Sequence, residues 1–205
     1  MIRSIIKTVE ISDEQVVTEL KKKGVLFEGP DHYVLRGGDH TDCFFYQFPV
    51  RNIVTMPLRL IQLIKTLDRD PRELTMLAIS DTATRMIRSM FTIFRGHPKK
   101  IYPKIESGKM KLDKKQRQWL REHPFLIVDD VIRKGVVLQR VVELCKVNNL
   151  SSEGILCAVN SGVPEIGGVT VQSLLKREMR QWSADECPLC REGVSPAYDP
   201  YRFKR

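Results

Sequence analysis

Apolar and polar positions along the chain switch repeatedly between helical and strand spacing. In ISDEQVVTELKKKG, Val16, Val17 and Leu20 share one helical face, Ser12 or Asp13 offers a cap, and Gly24 marks a stop. HYVLR and CFFYQF are rich in β-branched and aromatic residues, with GGDHTD as a turn between them. NIVTMPLRLIQLIKTLD returns to helical spacing, with Pro57 where a first turn or a kink tolerates it. LTMLAI, FLIV (125–128) and GILCAVN read as short buried strands. The stretches from Ser80 or Asp81 and from Gly135 to Lys146 read as the helices after the first two, and TVQSLLKREMRQW reads as a closing helix.

Strands alternating with helices predict a mostly parallel central sheet covered on both faces, an α/β fold. Ligands of such sheets bind beyond the carboxyl ends of the strands. The two loops expected there are SDTATR and DDVIRKG. Between them, Arg95 to Pro124 is crowded with lysine and arginine; its first half reads as a mobile basic loop or hairpin and LDKKQRQWLREH as an exposed helix.

A chain of 205 residues, 42% hydrophobic and 29% charged, suits one globular domain with additions. No apolar run reaches the length of a membrane span, and acidic residues follow too soon after Met1 for a secretory signal, so a cytoplasmic protein is expected. Thirty-four Lys and Arg against 25 Asp and Glu give a net charge of +9. That excess favours anionic partners, and it serves solubility equally well.

The chemistry concentrates in FLIVDDVIRKGVVLQRVVELCK, Phe125 to Lys146. A buried strand aims Asp129 and Asp130 at the sheet end. Paired carboxylates accept hydrogen bonds from vicinal hydroxyls or hold a divalent cation. The loop amides and the following helix N-terminus face any attached phosphate. Two polar residues ending a strand in solvent explain the same segment, and taken alone it leaves both readings open.

This run is similar to the phosphoribosyl-pyrophosphate (PRPP) motif of the type I phosphoribosyltransferases. GVLFEGPDHYVLRGGDHTDCFF resembles the N-terminal segment of the orotate phosphoribosyltransferase branch, and CPLCREGVSP a Cys-x-x-Cys-x-x-Gly ending found in some of its relatives. The three occur in the expected order. The resemblance implies a type I phosphoribosyltransferase-like domain over 1–205, with a small hood (1–50), an α/β core (51–180) and a C-terminal tail (181–205). It implies transfer of ribose 5-phosphate from PRPP to a nitrogen base, orotate by analogy, as in pyrimidine biosynthesis, with Mg²⁺ on the pyrophosphate and a homodimer as the default assembly.

Residue by residue, the resemblance assigns Asp129 and Asp130 to the ribose hydroxyls and Gly135 to the phosphate loop. Arg133 and Lys134 stand where the family places small or hydroxyl residues; they either grip phosphate by charge or fill its space. Val136 and Val137 offer no hydroxyl. SDTATR lacks the family's glycines; Thr82 and Arg85 can contact pyrophosphate, although ordinary helix-start residues explain them slightly better. Lys100 and Lys104 are the candidates for the catalytic loop, and Arg36 and Asp39 for base contacts, with His40 a surface residue.

Cys145 and Cys157 read as small core residues. Cys187 and Cys190 have the spacing of half a zinc site, but there is no second CxxC, and His32, His40, His97 and His123 are not spaced as a partner pair. A C-terminal packing turn is favoured and no metal ligand is assigned. Trp119 and Trp182 read as packing residues. The competing function is a remodelled, non-catalytic binder of nucleotide or nucleic acid on the same fold, motivated by Arg133, Lys134, Val136 and Val137. A purely structural interaction protein ranks third.

Overall fold

The computed structural model describes residues 11–35, 37–46, 53–56, 58–59, 63, 73–80, 82–85, 99–106 and 109–196. In chain order the elements are α1 (Asp13–Lys22), β1 (Leu26–Val34), β2 (His40–Phe45), β3 (Thr75–Ala78), β4 (Lys99–Ile101), β5 (Lys104–Glu106), β6 (Lys109–Lys111), α2 (Lys114–Glu122), β7 (Phe125–Ile132), α3 (Val136–Val147), β8 (Gly154–Asn160), β9 (Glu165–Ile166), β10 (Val169–Lys176), β11 (Gln181–Trp182) and α4 (Pro188–Arg191).

The central sheet has the order β4-β3-β7-β8-β10-β9. Every neighbouring pair is parallel except β9 with β10. Successive residues of β7 feed opposite faces: Leu126 and Val128 join one apolar cluster, Phe125 and Ile127 the other. Burial on both faces is why these strands read as unbroken apolar runs instead of alternating ones. Gly135, Ile166 and the start of α3 meet beyond the carboxyl end of β7.

Local signals hold where hydrogen bonds close within a few residues. Ser12 caps α1 in a reciprocal box with Gln15 (3.2 and 2.8 Å), and Asp113 caps α2 in the same way with Gln116. Each box satisfies two helix-end donors. The basic segment contains the β5–β6 hairpin followed by α2, as its composition suggests.

One element differs in kind. The stretch expected to close the fold as a helix is strand β10, followed by the short β11. Val171, Leu174 and Leu175 are spaced as a helical face, which misleads local reading. The open edge of β8 decides the outcome, pairing with β10 from Val171↔Ile155 to Lys176↔Asn160.

The second sheet is antiparallel, β1-β2-β11. Its β1–β2 register slips between Glu28 and Tyr33, around Gly29 and Pro30; Pro30 has no N–H for the ladder. Ion pairs tie this sheet to the chain leaving β10 and to α1: Glu28 meets Arg177 and the α1 residue Lys21, and Asp42 meets Arg180 at 2.6 Å.

Candidate functional site

A cleft of about 370 Å³ opens between the two sheets. The end of β7 and the start of α3 form its floor, from Asp129 to Leu138, and Leu35, Phe44, Phe45 and Gln181 of the antiparallel sheet form its roof. Asp129, Asp130, Arg133, Lys134 and Gly135 therefore line one cavity.

The aspartates lie within β7, pinned by the ladder to β8 (Asp129↔Cys157). Asp129 is 9% exposed and Asp130 7%. Asp129 Oδ1 accepts the Asp130 amide at 3.0 Å and the Ser80 hydroxyl at 3.4 Å. Burial first, and then the charge of Asp130, hold the Asp129 carboxyl well above the usual range. An electropositive ligand or a set of hydroxyl donors relieves that arrangement.

Beside the pair, Gly135 turns the chain into α3 with φ of 73°. A Cβ there would stand 2.8 Å from Ile166 Cδ1, so both conformation and space demand glycine. No side chain caps α3. Its first amides have no acceptor within the helix, and a helix end of this kind attracts anions.

Arg133 reaches across the cleft. Its guanidinium turns to the roof, donating to Thr41 Oγ1 at 3.1 Å and to the Cys43 carbonyl at 3.3 Å. Lys134, Val136 and Val137 are exposed at the loop and helix start. The arginine thus spans the cleft and fastens roof to floor.

The other candidates are more scattered. Ser80 follows β3 and accepts the Ala83 amide at 3.0 Å, and the Thr84 hydroxyl donates to the Ser80 carbonyl. Thr82 and Arg85 belong to this helical turn. Lys100 lies opposite Met76 on edge strand β4, and Lys104 opens the β5–β6 hairpin. Among the described residues lining the cleft, none of these four appears. Asp39 accepts from Gln181 Nε2 at 2.5 Å, linking it to a roof residue. Arg36 and Arg95 lie outside the described residues.

Sequence reading missed Ser80 as a partner of Asp129, the roof residues Phe44, Phe45 and Gln181, and Ile166 behind Gly135. Ser80 carried a signal, since it follows a buried parallel strand just as the aspartates occupy the end of another. Phe44 and Phe45 fall in the segment expected to form the hood, whereas Gln181 carried no signal, because β11 reaches β2 only through the fold.

Trp119 packs as expected. It stacks on His123 with ring centres 3.7 Å apart, donates to Thr75 Oγ1, and has Lys99 Nζ 3.2 Å from its ring centre. Burial raises the Cys43 thiol to about 12 and Cys145 to about 11, and it raises Cys157 as well. These three are core residues and poor nucleophiles. His40, expected at the surface, is 6% exposed. It sits with His32, Cys187 and Cys190, where the packing turn was expected to stand alone.

The architecture, a parallel sheet with an acidic pair and a glycine-entered helix beneath a small antiparallel hood, is that of the type I phosphoribosyltransferases. The crystal structure of orotate phosphoribosyltransferase from Aeropyrum pernix matches with a TM-score of 0.54 at 17% identity, covering 78% of this chain and 93% of that one. In sequence, the chain is 27% identical over 191 residues to an orotate phosphoribosyltransferase of Thermotoga maritima, covering 88% of this chain and 94% of the relative. A second such enzyme, from Desulforamulus reducens, is 24% identical over 192 residues, 91% of this chain and 95% of the relative. No protein-family model matches. The chain thus shares the type I phosphoribosyltransferase fold and is similar in sequence to orotate phosphoribosyltransferases, the likeness its three motifs carry.

Proposed function

We propose that the protein transfers ribose 5-phosphate from PRPP to a nitrogen base, orotate or one like it. The observation that carries this reading is one cleft holding both Asp129–Asp130 and the uncapped, glycine-entered N-terminus of α3. In this reading the aspartates accept hydrogen bonds from the ribose hydroxyls, and the amides from Gly135 onward hold the 5-phosphate. Lys134 adds charge beside that loop. Thr82 and Arg85 meet the pyrophosphate, Lys100 and Lys104 approach the leaving group, and Arg36 and Asp39 reach the base from the hood.

The buried, oxygen-only donor set of the aspartates suits Mg²⁺. An ion held there with PRPP would supply charge neutralisation for the departing pyrophosphate. The protein's own contribution is to position donor and acceptor and to cover them with the hood. A homodimer acting in cytoplasmic pyrimidine nucleotide synthesis completes the proposal. Among the described residues, no helix is long and apolar enough to cross a membrane.

The reading is tested by titrating PRPP with Mg²⁺ into the wild type and into Asp129→Asn/Asp130→Asn, followed by pyrophosphate release with a panel of bases. Binding and orotate-dependent release that vanish together in the variant support it. A wild type that binds nucleotide or nucleic acid but not PRPP establishes the remodelled, non-catalytic reading instead.

A further inference from the structure

Two histidines of the hood and the two cysteines of the C-terminal CxxC converge at a point that the cleft does not use. His32 lies on β1 and His40 opens β2. With Val34 opposite His40, the two histidines are diagonal neighbours on one face of the hairpin, ring centres 4.9 Å apart. Cys187 precedes α4 at its N-cap and Cys190 lies within its single turn, and Gly193 at φ of 79° turns the chain back, its amide bonded to the Cys190 carbonyl. One ligand atom from each of the four lies within 4.8 Å of every other.

Hydrogen bonding alone accounts poorly for this cluster. Cys190 Sγ stands 3.3 Å from His32 Nε2 and 3.4 Å from His40 Nδ1. A thiol has one proton and cannot donate to both rings. His32 is fully buried, and its Nδ1 has no hydrogen-bond partner. Two imidazoles and two thiols taken from water with so few donors would be unfavourable.

We propose that His32, His40, Cys187 and Cys190 bind one Zn²⁺ ion in a closed tetrahedral site. Metal bonds of about 2.3 Å to sulfur and 2.0–2.1 Å to nitrogen give tetrahedral edges of roughly 3.3–3.8 Å. The two Cys190 contacts already have that length, and the widest edge contracts by about an ångström. On binding, each thiol loses its proton to solvent. Zn²⁺, two thiolates and two neutral imidazoles then sum to zero charge, which suits burial. With all four positions supplied by side chains, the ion has no place for substrate and acts structurally. It joins β1 and β2 to the segment after β11, whose Trp182 pairs with His40, and so braces the hood.

The test uses the full chain. Metal analysis of protein purified without chelator should find one zinc per chain in the wild type and in a Cys145→Ser control, and none in Cys187→Ser/Cys190→Ser. Titration of Zn²⁺ into stripped wild type in weak buffer should release two protons per ion, and Co²⁺ should give the visible spectrum of a tetrahedral thiolate site. Where the cysteine variant fails to fold, the wild type decides: chelation should lower its Tm, and Zn²⁺ but not Mg²⁺ should restore it. Absence of zinc together with no uptake by the stripped protein overturns the proposal. So does an intact mass two hydrogens lower, locating a Cys187–Cys190 disulfide, or zinc retained by the cysteine variant.

Discussion

The two polar clusters of this protein are built in opposite ways. Asp129 and Asp130 are neighbours in the chain, on one buried strand, and Gly135 follows five residues later. The hood cluster draws on β1, β2 and the C-terminal turn, with His32 and Cys190 separated by 158 positions. One cluster is held in place by a central strand whose ladder bonds are protected from water. The other depends on a hairpin, a two-residue strand and a one-turn helix meeting correctly. A reactive site benefits from the rigidity of the first kind. The second kind suits a brace, which strengthens a region where few apolar residues can.

The largest effect should come from the aspartates. Asp129→Asn/Asp130→Asn should reduce PRPP affinity and turnover by about 100-fold or more, since charge-assisted hydrogen bonds to the ribose are lost. Because burial and mutual repulsion disfavour the ionised pair, the ligand-free variant should melt at or above the wild-type temperature. Calorimetry of both forms checks this. A large drop in Tm with unchanged affinity would reverse the contrast, making the aspartates structural and the cleft inert. Zinc content should be the same in both proteins, since the clusters share no residue.

Next in size is Gly135→Ala, expected to lower stability by about 1–3 kcal/mol through strain at positive φ and the clash with Ile166. Ile166→Ala combined with it should recover the steric part only. Denaturant melts of the two single variants and the double variant separate the contributions. Full recovery would show that φ imposes nothing here.

Arg133→Ala should cost about 1–2 kcal/mol, from the lost bonds to Thr41 and Cys43 across the cleft. If Arg133 braces the hood, stability falls more than PRPP affinity. A loss confined to affinity would return the arginine to the phosphate. Arg133→Lys should not restore the wild-type behaviour, because an ammonium lacks the fork that reaches both acceptors.

The smallest effect concerns acid. Burial raises the Glu28 carboxyl, but hydrogen bonds and charge from Arg177 and Lys21 outweigh it and leave the pKa below its ordinary value. A depressed folded pKa stabilises above the unfolded pKa, and the contribution disappears as pH falls through the folded value. Glu28→Gln should therefore flatten the acid limb of a Tm-against-pH curve and change little below it. An unaltered acid limb would mean that these ion pairs add nothing to the hood's attachment.

The contrast also marks how far sequence reading reached. Ser12 was one of two cap candidates, because its partner lies three residues away; Asp113, with the same spacing to Gln116, was left unread. The aspartate pair and Gly135 were recognisable because one strand and one turn specify their geometry. Arg133 was the ambiguous case: its chemistry was visible, but its direction depended on where Thr41 lay.

By itself the sequence determined the run of buried strands, the helices with closed local caps, the acidic pair and the glycine entry to α3, since each rests on interactions within a few residues. The tertiary structure alone decided that residues 169–176 extend as a strand, that Arg133 turns to the hood, and that His32 and His40 meet Cys187 and Cys190. In each of these, an element distant in the chain supplies the missing partner: an open sheet edge, a carbonyl oxygen, or the other half of a ligand set. Local periodicity carries no information about such a partner, and only the packed fold brings it within reach.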